Sequence, residues 1–409
     1  MKQLLSCFCF LVLCITSSCG QESQSKKSKH RTSQQAKLPT LLWQAPITEG
    51  QYTVGGLIHL SLYKNSIVCN GQTSDPDIER LMMINTETGK IQWEWNDIRT
   101  RKDHLSSPYA VKTYQNILAL RNGTRLYAIN LDSGTTIWEK RCADGVEIAL
   151  LGNTLFYGGS DAFLWKGDVR TGIIDTVFFI RNILPPPSVP LDTYEIVQTY
   201  PFIDKNNDTL VAVSYTVGQP IQFEAWYLMY NISKHKLLYN ANLLPRSHLV
   251  SGIFSNIQRY NDNFYFAATR SILCHSIKTG KQRWKKDFPG TLLFSGMILS
   301  DSTIFANCDA IPQFVYALEP NTGNERWKER SAGSILGQLF VMNGVLYFTG
   351  GSDGVLHAID IKTGKHLWKI ECPNRQNDSN DYFFGNVTGR DGKIFVCSGF
   401  HLYCYEVAE

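Results

Sequence analysis

Apolar and polar positions alternate with a period of two through most of residues 38–409, in short runs separated by Gly, Asn, Asp and Thr. Such runs predict half-buried strands joined by tight turns. One unit recurs. It reads Leu356-His357-Ala358-Ile359-Asp360, then Thr363-Gly364-Lys365, then Trp368. It returns as Leu126-Tyr127-Ala128-Ile129-Asn130 with Ser133-Gly134 and Trp138, and as Val315-Tyr316-Ala317-Leu318-Glu319 with Thr322-Gly323 and Trp327. Thr88-Gly89 with Trp93 and Thr279-Gly280 with Trp284 are two more copies. Two copies have decayed: Thr171-Gly172 leads to Thr176, and Lys234-His235 leads to Tyr239. The turn positions 89, 134, 172, 235, 280, 323 and 364 are 45, 38, 63, 45, 43 and 41 residues apart. That is the period of a four-stranded propeller blade.

Each residue type in the unit has a physical reason. The Asp or Asn that ends one strand can bond to backbone in the turn that follows. The Gly supplies the positive φ of that turn. The Trp presents a large surface to wedge between neighbouring blades. An earlier hairpin completes each unit, as at Leu339–Phe348, where Asn343-Gly344 separates two apolar runs. Each blade therefore reads A, B, C, D, with the Thr-Gly turn joining C to D. The chain ends on Leu402-Tyr403-Cys404-Tyr405-Glu406-Val407, a strand C with no strand D after it. The missing strand is expected at the other end, at Leu41-Leu42-Trp43-Gln44-Ala45, where it closes the ring and removes an open sheet edge. The expected fold is all-β: an eight-bladed β-propeller of four-stranded antiparallel blades over 38–409, closed by the N-terminal strand. Trp43, Trp93, Trp138, Trp284, Trp327 and Trp368 are its structural repeat tryptophans.

Ahead of the ring lies a different composition. Lys2 precedes an apolar run from Leu4 to Ile15, and the small residues Thr16, Ser17 and Ser18 lead into Cys19 and Gly20. This is the layout of a secretory signal rather than a spanning helix. The small residues before a Cys resemble a bacterial lipoprotein signal, with Thr16 where an aliphatic residue is usual. The resemblance implies a signal peptide over 1–18 and lipid on Cys19; an ordinary signal cut near Cys19 is the alternative. Residues 19–37 then form an expected flexible, basic tether, rich in Gln, Ser and Lys. The formal charge of +4 resides here: Lys2 supplies one, and Lys26, Lys27, Lys29, Arg31 and Lys37 against Glu22 supply four, which leaves 38–409 at −1. A near-neutral ring excludes nucleic acid as an expected partner. Seven cysteines fall in the ring, mostly inside apolar runs, where Cys acts as a small hydrophobe. No CxxC and no HxxxH or HxH spacing marks a metal site, and no GxSxG or Walker loop marks a catalytic one. Asp204-Lys205-Asn206-Asn207-Asp208 has alternating oxygen ligands but lacks the Gly and Glu of a calcium loop, and is expected to be the A–B turn of blade 4.

The pattern Ala-x-Asp-x-x-Thr-Gly-Lys-x-x-Trp, complete from Ala358 to Trp368, resembles the repeat of quinoprotein-type (PQQ-like) β-propellers. That family holds both pyrroloquinoline-quinone alcohol dehydrogenases and BamB-like outer-membrane lipoproteins. The dehydrogenase branch implies an adjacent Cys-Cys pair, Ca²⁺ ligands, a catalytic Asp and a longer chain; this sequence has no adjacent Cys pair within the ring. The lipid-anchored plan implies instead a non-enzymatic, monomeric scaffold with no catalytic residues, metal or cofactor. It is expected in the bacterial envelope, at the outer membrane facing the periplasm. Its partners would be envelope proteins, including an outer-membrane β-barrel. The alternative is a propeller that binds a sugar or other small molecule, or a quinone-dependent dehydrogenase. Topology indicates where a partner docks. The B–C and D–A connections share one face, and 70–80, 97–108, 181–195, 217–224, 307–313 and 373–382 are longer there than a hairpin needs. Expected contact residues on that face are Arg99, Arg101, Lys102, His104, Tyr194, Arg375, Asp381 and Tyr382.

Overall fold

The computed structural model describes residues 37–49, 60–75, 79–95, 97, 110–122, 124–145, 147–185, 193–219, 222–247, 257–290, 297–308, 313–331, 338–376 and 381–407. The expected signal over 1–18, Cys19 and nearly all of the expected tether over 19–37 lie outside them. Among the described residues no helix is long and apolar enough to cross a membrane. The strands form eight four-stranded antiparallel sheets. Blade 2 is representative: A is Val111–Tyr114, B Ile117–Asn122, C Arg125–Asn130 and D Thr136–Arg141. In blade 8 the order is Phe383–Arg390, Lys393–Ser398, His401–Glu406 and then Thr40–Pro46, so the N-terminal strand supplies D.

Strands B and C are apolar at nearly every position, so each sheet is apolar on both faces and can pack a neighbouring blade on each side. In blade 2, Ile117 and Ala119 join a cluster with Ile148 and Leu155 of blade 3, whereas Leu118 and Leu120 face Val68 and Met83 of blade 1. Eight such clusters occupy the eight inter-blade gaps, so the core is distributed around the ring. Strands B and C are buried almost throughout; strands D carry exposed, charged positions and form the rim. Strands A of successive blades approach one another and line the channel.

The turn face is regular. Gly89, Gly134, Gly172, Gly280, Gly323 and Gly364 all have φ between 68° and 72°. The strand-ending acid or amide caps the turn: Asp360 Oδ1 accepts from the Thr363 N–H at 2.7 Å, and Asn85 Oδ1 from the Thr88 N–H at 3.0 Å. A β-bulge sits just before each repeat Trp, as where Ala128 pairs with Trp138 but Ile129 with Thr136. The bulge re-aims the Trp toward the next blade. There its indole stacks on the next turn glycine and donates to a turn carbonyl. A Cβ added to Gly134 would lie 2.6 Å from Trp93, whose Nε1 donates to Leu131 O at 2.8 Å. Trp43, Trp138, Trp284 and Trp327 repeat this onto Thr86, Val169, Pro320 and Ile361. Tyr239, in a decayed copy, does the same work: it packs on Gly280 and donates to Ile277 O at 2.7 Å. Trp43 acting on Gly89 carries the series across the closure. Trp368 meets no turn glycine, because strand D of blade 8 comes from the N-terminal end and no C–D turn precedes it; it keeps the tilted contact with Tyr347 that Trp284 makes with Tyr265 and Trp327 with Phe305.

The loop face departs from the expectation in one place. The stretch 217–224 is not a long loop. Strands Thr209–Gln219 and Gln222–Asn231 of blade 4 stay paired up to Gln219 and Gln222. The same blade has Thr193–Ile203 and Lys236–Ser247. Strand B has 11 residues against six in blade 2, a strand longer by about 16 Å at roughly 3.3 Å per residue. The extra length was unread because alternation simply continues through it. The short helix Ile180–Ile183 packs on one side of this wing, with Ile180, Leu184, Tyr194 and Tyr215 in one cluster.

Candidate functional site

The expected contact residues divide on inspection. Arg99, Arg101, Lys102 and His104 lie outside the described residues, as do Pro186 and Pro187 of the Pro-rich stretch. Tyr194 is 5% exposed and donates from its hydroxyl to Pro185 O at 2.6 Å. It anchors the D–A connection into blade 4 instead of facing solvent. Asp381 is 1% exposed and accepts from Tyr403 at 3.0 Å, with His401 Nδ1 at 3.4 Å. Burial pushes its carboxyl up, but hydrogen bonds from His401, Ser398 and Tyr403 hold it below the usual range. It fixes the entry to blade 8. The half-buried Arg375 donates to Asp353 O, bracing the same corner. Tyr382 is 41% exposed and sits against Gly354, leaving its ring available on the surface. Polarity alone could not separate the braces from the exposed ring, since burial depends on what the loops fold onto. At the A–B turn of blade 4, Asp204 Oδ1 accepts from the Asn206 and Asp208 N–H groups. That carboxylate shapes a turn, as expected.

Three features carried no sequence signal. Arg121 ends strand B of blade 2 and is buried. Its guanidinium donates to Gly158 O at 2.6 Å, Glu147 O at 3.3 Å and Ala143 O. It ties the loops of blades 2 and 3 together. Beside it a cleft of about 430 Å³ opens between blades 2 and 3, walled by Lys140, Arg141, Cys142, Tyr157, Asp161 and Trp165. Trp165 is outside the repeat; its Nε1 donates to Asp161 Oδ2 at 2.9 Å, and its ring lies nearly parallel to Tyr157. Burial raises the Cys142 thiol above its usual range, so it is a weak nucleophile there.

The third feature is in the channel. Strands A of blades 2 to 5 line a cavity of about 470 Å³ with Lys112, Glu147, Thr199, Gln258 and Arg259 among its walls. Glu147 is 6% exposed, and its Oε2 and the Thr199 Oγ1 have no hydrogen-bond partner. Burial raises the Glu147 carboxyl to about 8, although Lys112 and the Thr199 backbone pull it down. Burial also lowers the Lys112 ammonium, against the pull of Glu147. The Arg259 guanidinium lies 4.5 Å above the Phe202 ring. The cavity thus presents a carboxyl whose charged form burial disfavours, a hydroxyl and basic groups.

A closed ring of eight blades pinned by Trp–Gly stacking defines a quinoprotein-type β-propeller. Within that class, the family pattern described as outer membrane protein assembly factor BamB matches residues 40–175 and 268–381, more than half of the chain, and the chain belongs to that family. Between the two matched stretches, 176–267 holds most of strand D of blade 3 and the whole of the extended blade 4. BamB from Moraxella catarrhalis is similar in structure, at 11% identity and a TM-score of 0.57, covering 91% of this chain and 99% of that one. So is the quinohemoprotein alcohol dehydrogenase from Comamonas testosteroni, at 11% identity and a TM-score of 0.64, over 90% of this chain and 76% of that one. At these identities the likeness is one of fold. The quinoprotein alcohol dehydrogenase PedE of Pseudomonas putida is 29% identical over 90 residues, which are 20% of this chain and 14% of that protein.

The dehydrogenases' fold implies a quinone and, for the kind implied by the repeat, a hard metal ion. The described residues do not fit such an ion. They contain no group of three or more His, Cys, Asp or Glu. The channel cavity's lining holds one carboxyl, Glu147, whose charged form burial disfavours, beside the basic Lys112. A hard cation needs several ionised or carbonyl oxygens.

Proposed function

We propose that this chain is a non-enzymatic scaffold of the bacterial envelope, tethered to the membrane through a lipid on Cys19, that docks a partner protein on its loop face and assists assembly of outer-membrane β-barrels. The observation that carries the reading is the cleft between blades 2 and 3. It places Trp165 and Tyr157 beside Lys140 and Arg141 on a rigid scaffold. Aromatic residues with Arg are the composition of protein interface cores. Membership of the family supports the assembly role, and the basic tether suits an anionic membrane surface. The partner is met by local loop chemistry, since the ring as a whole is near neutral.

The test is capture of partners from detergent-solubilised envelope. Wild-type protein is expected to retain an envelope protein, and Trp165→Ala to weaken that capture by about tenfold, the loss typical of an aromatic anchor. Recovery of no envelope protein, or equal capture by the variant, counts against the reading. A second reading follows from the channel cavity: Glu147 Oε2 and Thr199 Oγ1 lack partners and are suited to a small polar ligand. Reduction of a dye with added quinone and Ca²⁺ is the assay for an enzymatic version of it.

A further inference from the structure

A propeller must join its last blade to its first, and this seam is unlike the other seven junctions. Its outer strand, Thr40–Pro46, comes from the far end of the chain and is mostly exposed. Residues that follow it stitch the two blades by backbone. The Ile47 N–H donates to Phe400 O at 2.8 Å, and Ile47 O accepts from the Gln72 N–H at 3.1 Å. The fit is tight, since a Cβ on Gly71 would meet Ile47 O at 1.9 Å. Directly behind the stitch, Cys69 in strand B of blade 1 and Cys397 in strand B of blade 8 face each other. Their sulfurs are 3.9 Å apart and both side chains are fully buried in the seam's apolar cluster. The two residues are 328 positions apart in the chain.

We propose that Cys69 and Cys397 form a disulfide bond that closes the ring covalently between blade 8 and blade 1, made by exchange with a small-molecule or protein disulfide while the seam is still open. Bond formation draws the two sulfurs in from 3.9 Å, and with them the two facing strands. A disulfide needs its sulfurs at about 2.05 Å, and the two strands already point the thiols at one another across a single packing layer. The chemistry balances. One cysteine, having lost its proton to solvent, attacks a sulfur of the oxidant disulfide, and the first reagent thiol leaves. The second cysteine, also deprotonated, attacks the protein-bound sulfur of the mixed disulfide and expels the second reagent thiol. The two cysteines lose two electrons, and the reagent disulfide is reduced to two thiols. The timing follows from burial. In the closed seam the Cys397 thiol is held well above its usual range by burial and by the neighbouring Cys69. Such a thiol is a poor nucleophile, and no oxidant reaches it. Exchange therefore precedes closure, and the bond once made is sheltered from reductant. By linking residues so far apart it restricts the unfolded chain strongly.

The experiment uses the full chain, unfolded and reduced, then refolded in a mixture of reduced and oxidised glutathione. Free thiols are blocked, the protein is digested without reduction, and cross-linked peptides are identified by mass spectrometry. The expected result is a Cys69–Cys397 cross-link as the main disulfide. The thermal midpoint of the oxidised protein is expected to exceed that of protein refolded with reductant by about 5 °C or more. Cys397→Ala and Cys69→Ala are expected to show no dependence of the midpoint on reductant. Recovery of both cysteines as blocked thiols in the refolded, oxidised protein overturns the proposal. So does another pairing as the main disulfide, or a midpoint that ignores reductant while the bond is present. If a variant does not fold, the comparison of oxidised and reduced wild type still decides the matter.

Discussion

The two faces of this ring are built by opposite rules. On the turn face, one local device recurs: a capped turn, a glycine at positive φ and a bulged Trp or Tyr from the preceding blade. Every copy makes the same contact, so the face is stiff and uninformative about a partner. On the loop face no device repeats. Blade 4 has a longer strand B than blade 2, Arg121 gathers three carbonyls, and a cleft opens between blades 2 and 3. The difference teaches that the regular face holds the ring in register while the irregular one is free to specialise. Binding groups gain precision from a rigid support beneath them.

The largest effect is expected from attacking the turn device. Gly134→Val sets a β-branched residue at φ 71° with its Cβ against the Trp93 indole. A loss of about 4 kcal/mol in unfolding free energy is expected, from backbone strain and overpacking together. In a Trp93→Ala background the same change is expected to cost about half as much, because only the backbone strain remains. Equal costs in the two backgrounds, measured by denaturant unfolding, would show that the Trp–Gly contact does not matter.

Arg121→Ala comes next and acts on the other face. It leaves the carbonyls of Ala143, Glu147 and Gly158 short of a donor, at about 3 kcal/mol for a buried, hydrogen-bonded cation. Hydrogen exchange is expected to rise around 143–147 and 158–160 and to stay unchanged at the turns near Gly323 and Gly364. A uniform rise would mean that Arg121 supports the whole ring.

The channel gives a pH test. The Glu147 carboxyl is raised to about 8 in the fold. The folded state therefore binds more protons than the unfolded state between about 4.5 and 8, and stability from this group, full below that window, falls as pH rises through it. Glu147→Gln is expected to flatten that decline and to be more stable than wild type at pH 8 by roughly 1–3 kcal/mol. Parallel wild-type and variant curves of stability against pH would place Glu147 in contact with water. The smallest effect is a gain. Between blades 3 and 4 the device is absent, with Thr176 in place of Trp and His235 at φ 50° in place of Gly. Thr176→Trp with His235→Gly is expected to add about 1 kcal/mol by supplying both halves.

Much of this fold was legible because its unit is local. Ala358 to Trp368 contains the strand, cap, turn and wedge within eleven residues, and repetition supplies the rest. The count of eight blades and the closing strand at Trp43 follow from one missing strand at the C-terminus. The site was far less legible. Tyr194 and Asp381 looked like loop residues and proved to be buried braces, because a loop residue's exposure depends on which blade its loop folds against. Trp165, Arg121 and Glu147 belong to no periodic pattern. They acquire meaning only from neighbours such as Tyr157, Gly158 and Thr199, which come from other strands or other blades.

The sequence by itself determined the class of fold, the number of blades, the end at which the ring closes and the placement of the net positive charge ahead of residue 38. Each of these rests on short-range spacing or on composition, which a chain carries without being folded. Tertiary structure alone decided that Tyr239 replaces a Trp, that the strands of blade 4 stay paired through 217–224, that a cleft lies between blades 2 and 3, and that Cys69 meets Cys397. Those are contacts between residues far apart in the chain, and only packing of the blades against one another brings them together.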